Sequence, residues 1–190
     1  GGAMTSAKTD LVLVPGLPCT RDLFAPQIAA LSDVANVAVA EHRGHDSMAA
    51  IARAILAGAP AKFALAGLSM GGYIAFEMLR QAPERVTRLA LLDTNARADR
   101  PEQAKQRQLL VGMGRGLGVR AVQAALLKFL IHPLRLADRA LVDLVLGMAD
   151  ATGQPDFERQ QAAIVGRPDN RPFASELKLP TVIIVGAEDA

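Results

Sequence analysis

Phe63-Ala64-Leu65-Ala66-Gly67-Leu68-Ser69-Met70-Gly71-Gly72 is the stretch on which the fold turns. Phe63 to Ala66 is a short apolar run of strand type, and Ile74, Met78 and Leu79 then recur at helical spacing until Pro83 stops the pattern. Between them, Gly67 to Gly71 reads G-x-S-x-G, which this composition would produce by chance only about 0.03 times. A strand that turns sharply into a helix forces the backbone of Ser69 into strain and pushes its hydroxyl outward. The glycines on either side let neighbouring chain pass close. The helix N-terminus supplies free N–H groups, and the Met70 amide would point to where an oxyanion forms. The plainer reading is a serine that N-caps a helix after a glycine-rich turn.

Further apolar runs stand on both sides of this stretch. Leu11 to Val14, Val37 to Ala40, Leu89 to Leu92 and Val182 to Val185 join Phe63 to Ala66 as five expected strands. None alternates polar with apolar, the pattern of parallel strands covered on both faces. Met48, Ile51 and Ile55 mark a helix that Ser47 would cap. Strand and helix alternate, so right-handed βαβ units follow: a three-layer α/β/α fold with a mostly parallel sheet. From 98 to 179 helix follows helix instead. Val122, Leu126, Phe129 and Leu130 form one stripe; Leu141, Leu144, Val145 and Met148 a second; Phe157, Gln161 and Ile164 a third. About 80 residues are too many for an ordinary crossover, so a helical cap (98–179) is expected, inserted into a core of 4–97 and 180–190. Gly112, Gly114, Gly116 and Gly118 are read as a flexible joint between cap helices.

Pro15-Gly16-Leu17-Pro18 follows the first strand. If strands two and three flank strand one, the loops after strands one and three border one crevice, where the chain reverses direction. Leu17 then lies beside Ser69, and its amide becomes the second oxyanion donor. Cys19 is expected to be a small buried residue.

These residues resemble the α/β-hydrolase superfamily. The likeness rests on Pro-Gly-Leu-Pro, on Arg43-Gly44-His45, on Gly-Leu-Ser-Met-Gly-Gly and on Pro180 to Asp189, and it runs from Thr9 to Asp189. Within it the chain is similar to capped esterases and the 3-oxoadipate enol-lactonase-like group, truncated at the C-terminus. The resemblance implies Ser69 as nucleophile and Asp189 as the acid, followed by a histidine. Pro15 stands where relatives often have histidine, and Asp46 where they commonly have glycine. Asp93, after the fourth strand, is the alternative acid; turn chemistry with Thr94 and Asn95 is its plainer explanation.

Relatives carry the catalytic histidine beyond the position of Ala190. The histidines here are His42, His45 and His132. His132, before Pro133, reads as a helix-end residue. His45 lies about 10 Å across the sheet from Ser69 and is a poor substitute base. Glu41, His42, His45 and Asp46 form a metal set or, more simply, a solvated loop. A serine hydroxyl needs a base within reach to react at neutral pH, so the expectation divides. The parent is a serine hydrolase of small esters, lactones or thioesters acting through an acyl-serine; the 190-residue chain itself is nearly inactive. A non-catalytic ligand-binding member of the fold is the alternative.

Composition sets the remaining bounds. Lys and Arg number 21 against 19 Asp and Glu, a net charge of +2 that argues against nucleic acid. Apolar residues make up 51% and charged residues 21%, as in a globular chain. No apolar run approaches the ~20 residues of a membrane span. A lone cysteine and an N-terminus without signal-peptide character point to the cytoplasm, with Gly1 to Ala3 read as a scar before Met4. No metal or organic cofactor is expected. The expected partners are a small apolar ester and, at the apolar edge strand Thr181 to Val185, a C-terminal segment or a second copy. Arg115 and Arg120 would meet an acidic substrate or simply solvent.

Overall fold

The computed structural model describes residues 8–16 and 25–185. Leu17, Cys19 and Asp189 therefore lie outside the described residues. The five strands are β1 (Thr9–Val14), β2 (Ala35–Val39), β3 (Phe63–Leu68), β4 (Val86–Leu92) and β5 (Thr181–Ile184). They form one parallel sheet in the order β2-β1-β3-β4-β5. The order reverses at β1, as the crevice argument requires. Val14 stands opposite Gly67, so the segments leaving β1 and β3 emerge side by side.

Helices cover both faces. The chain moves one way from β1 to β2 and the other way from β2 to β3 to β4. Right-handed crossovers then place α1 (Ala25–Leu31) on one face, and α2 (Met48–Gly58) and α3 (Met70–Gln81) together on the other. The main core lies under α2 and α3: Ile51 and Ile55, Ile74 and Met78, and the strand residues Val12, Val14, Phe63 and Leu65 are buried together. Ser47 caps α2, its hydroxyl accepting from the Ala50 N–H at 3.2 Å. Helix α1 buries no residue, which is why Ala25–Leu31 carries no periodic signal.

Between β4 and β5 the chain forms α4 (Pro101–Leu117), α5 (Val119–Leu130), α6 (Arg139–Val165) and α7 (Arg171–Ser175). The expected second and third stripes are the two arms of α6, broken at Gly153 (φ 73°) ahead of Pro155. The first stripe is corrected at its end. Val122 is buried and Leu126 packs with Ala149 and Phe157, but Phe129 and Leu130 face outward, 74% and 51% exposed. Packing of Leu127 and Ile131 against Val145 and Met148 turns the last turn of α5 the other way. The glycine joint is also corrected. Gly112, Gly114 and Gly116 lie inside α4, and Gly118 alone, at φ 90°, joins α4 to α5. Arg115 and Arg120 reach carboxylates of α6, Glu158 and Asp150, and so tie helices together.

Strand β5 pairs with β4, and all four of its residues are exposed. Among the described residues no helix is long and apolar enough to cross a membrane.

Candidate active site

Ser69 sits between the last residue of β3 and the first of α3, at φ 54° and ψ −113°. Among the described non-glycine residues only Ser69 and Asp93 have positive φ. Such a backbone costs of order 1–3 kcal/mol, so the surroundings must impose it. The Ser69 N–H donates to Leu92 O at 2.9 Å, and the Ser69 carbonyl accepts from Gly72 N–H at 2.9 Å and from the Thr94 hydroxyl at 2.7 Å. The residue is held through its backbone while the side chain stays exposed and caps nothing. That excludes the plain N-cap reading.

Close packing explains the glycines. A Cβ on Gly71 would collide with the carbonyl oxygen of Val14, and one on Gly67 with the backbone of Gly71. The start of α3 thus lies directly on the ends of β1 and β3. A Cβ on Gly16 would stand 3.2 Å from Ser69 Cβ, so the segment after β1 does border the serine. Met70 is buried, and among the described residues its N–H has no acceptor. Helix α3 thereby presents an open donor and its positive end beside the Ser69 side chain.

Asp93 follows β4 at φ 47°, and its N–H donates to Ile184 O at 2.9 Å. Two residues on, Asn95 forms a turn of its own, its Oδ1 accepting from Arg97 N–H at 2.8 Å.

The loop after β2 requires a correction. His42 is not solvated but 3% exposed. Its Nε2–H donates to Pro15 O at 2.9 Å, and Nδ1 accepts from Gln160 Nε2 at 2.9 Å. Burial lowers its pKa, outweighing the hydrogen bond to Pro15, so the ring is neutral with both nitrogens engaged. Gly44 N–H donates to Asp156 Oδ1 at 2.8 Å. The second arm of α6 is therefore fastened to the segments leaving β1 and β2. His42 is consequently neither a metal ligand nor a base for Ser69. Among the described residues no three metal-ligating side chains converge. His132 begins the turn Pro133–Arg135, its Nδ1 accepting from Leu134 N–H at 3.2 Å, the helix-end place expected of it.

Sequence reasoning missed Thr94, which braces the Ser69 carbonyl, and the roles of His42 and Gln160. A threonine two residues past a strand looks like turn composition, and the His42–Gln160 contact joins positions 118 apart.

Comparison with known proteins agrees with this architecture. The sequence profile for the alpha/beta hydrolase fold matches residues 10–189. A thermophilic esterase from Thermogutta terrifontis is 28% identical with a TM-score of 0.79, over 98% of this chain and 74% of its own. The enol-lactonase from Burkholderia xenovorans LB400 is 24% identical with a TM-score of 0.83, over 95% and 74% respectively. MenH from S. aureus, 17% identical, gives 0.78 over 98% and 78%. With a sheet order, a strained strand-to-helix serine and a profile that all coincide, the chain belongs to the alpha/beta hydrolase fold family.

Proposed function

We propose that Ser69 is the nucleophile of a hydrolase that opens small carboxylic esters, lactones or thioesters through an acyl-serine. The observation that carries this reading is the exposed Ser69 side chain on a strained backbone, one residue before an open helix N–H. Attack on the carbonyl carbon forms the Ser69 Oγ–C bond and moves an electron pair to the carbonyl oxygen. The amides of Met70 and Leu17 stabilise that oxyanion. In the parent protein a histidine oriented by Asp189, as the family resemblance implies, takes the serine proton. Collapse of the oxyanion breaks the bond from the acyl carbon to the leaving oxygen or sulfur, which receives that proton. Water, deprotonated by the same histidine, then adds to the acyl carbon and breaks its bond to Ser69 Oγ to release the acid. The strained backbone of Asp93, at the end of the strand beside β3, favours it as the second choice of acid. The segment 98–179 acts as a cap: the contacts of α6 with Pro15 and Gly44 through His42, Gln160 and Asp156 support its lying over the crevice. Similarity to an esterase and an enol-lactonase favours carboxylic ester chemistry, and no bound cofactor is required by it.

None of His42, His45 and His132 serves as base in this reading, so the 190-residue chain acylates slowly and deacylates hardly at all. Treatment with p-nitrophenyl acetate should therefore leave an acetyl group on Ser69, readable by peptide mass. The oxyanion donors and binding alone give roughly 10³–10⁴-fold acceleration over water. Ser69→Ala should lose the adduct. Acetylation no faster at Ser69 than at other hydroxyls would defeat the assignment.

A further inference from the structure

We infer that the chain binds an anionic group of carboxylate or phosphate size at the root of the helical segment, in a site separate from Ser69. The cavity, of about 430 Å³, lies between two connectors, the stretch from β4 into α4 at the start of that segment and the stretch from α6 to α7 near its end. The connectors are fastened together, Asn170 N–H donating to Ala96 O at 2.6 Å.

The hydrogen bonding of the wall decides what fits. Arg167 is its fixed point: its side chain is 3% exposed and its guanidinium lies 3.9 Å over the Tyr73 ring. Nε donates to Arg97 O at 2.9 Å, and Nη1 donates to Asp99 Oδ1 at 2.6 Å and Ile164 O at 2.9 Å. Nη2 has no acceptor among the described residues. The side-chain acceptors around the cavity are engaged internally. Burial alone would raise the pKa of Asp99, but hydrogen bonds from Arg107 and Arg167 outweigh it and hold the carboxylate ionised. Asp169 is chelated by Arg171, which brings its pKa down to about 2. Asn95 Oδ1 accepts from Arg97 N–H and Gln103 Oε1 from Arg100 N–H, each at 2.8 Å.

What remains open is a set of donors. The amide nitrogens of Asn95 and Gln103 have no acceptor among the described residues, and the guanidinium groups of Arg97 and Arg100 make no direct ion pair there, although the charge of Arg97 helps to hold Asp169 ionised. Among the described residues four arginines line the cavity against one aspartate that Arg171 already neutralises. A cation or a neutral apolar group gains nothing from such a wall. A planar carboxylate or a phosphate accepts from several fixed donors at once, and guanidinium forks match both geometries. Since the two connectors contribute donors jointly, the bound anion also cross-links the root of the segment.

The test is calorimetric titration of the chain at constant ionic strength with inorganic phosphate, succinate and, as control, glycerol. Saturable binding of phosphate or succinate is expected, and none of glycerol. Arg97 and Arg100 are exposed, so Arg97→Gln/Arg100→Gln should keep the fold, checked by circular dichroism, and weaken binding at least about tenfold. Arg115→Gln, outside the cavity, and Ser69→Ala should bind as the parent does, which separates this site from the hydrolase assignment. Preference for phosphate identifies a phosphate ester or free phosphate as ligand; preference for succinate identifies a carboxylate. Absence of saturable binding by either anion, or equal affinity in the double variant, overturns the site.

Discussion

At the scale of single residues, His42 couples a titration to the position of the segment after β1. Its neutral ring donates to Pro15 and accepts from Gln160. Protonation of Nδ1 would put a hydrogen against the Gln160 amide nitrogen, itself a donor. Charge is also unwelcome in a buried site, where Arg43 opposes protonation and only Asp156 favours it by its charge. The folded-state pKa therefore lies below the ordinary 6.5. The unfolded chain binds the proton first as pH falls, so this contribution is complete above pH ~6.5 and is lost progressively below it, down to the folded pKa. The slope approaches at most about 1.4 kcal/mol per pH unit. Urea midpoints between about pH 5 and 7.5 should show this decline, and His42→Gln should flatten it. An unchanged slope in that variant would assign the dependence to other groups.

At the scale of elements, the start of α3 presses on the ends of β1 and β3. Because a Cβ at position 71 meets the Val14 carbonyl, Gly71→Ala must move helix or strand. A cost near the upper end of the ~1–3 kcal/mol typical of overpacking is expected, with loss of any acylation at Ser69. Denaturation together with the acetylation assay checks both; a variant of parental stability would contradict the packing. This contact also shows why the strained turn was legible beforehand. The G-x-S-x-G turn writes its steric demands into consecutive residues, and the crevice followed from strand order. Elements held by distant partners left no such trace. Gly112 to Gly116 look flexible as a string, yet they lie inside α4, and at Gly114 the Gln154 side chain packs where a Cβ would be. Phe129 and Leu130 fit a helical stripe, but the partners on α6 select Leu127 and Ile131 instead. His42 looks solvated until α6, far along the chain, closes over it.

At the scale of the whole molecule, the sheet is unequally protected. The β2 edge carries Asn36, whose amide donates to Asp10 at 3.2 Å, and only Ala35 of its five residues is buried. Among the described residues the β5 edge has no such guard: Val182, Ile183 and Ile184 are 56%, 67% and 51% exposed. A strand with free backbone donors and acceptors and apolar side chains on both faces is a template for pairing. Two occupants suit it, a further segment in cis or the same strand of a second copy. In the 190-residue chain the second is available at sufficient concentration, and it removes about the same apolar surface from water on both partners. Sedimentation of the chain over a concentration series should therefore show reversible self-association. Ile183→Lys places an unpaired charge in the middle of that edge and should shift the equilibrium to monomer by at least about tenfold, one buried charge being worth more than ~1.4 kcal/mol. Position 183 is already exposed, so folding should survive, and the Ser69 acetylation rate reports that it has. Association that persists unchanged in Ile183→Lys would place the contact elsewhere, the exposed Leu109, Leu117 and Phe129 of α4 and α5 being the next apolar surface to substitute.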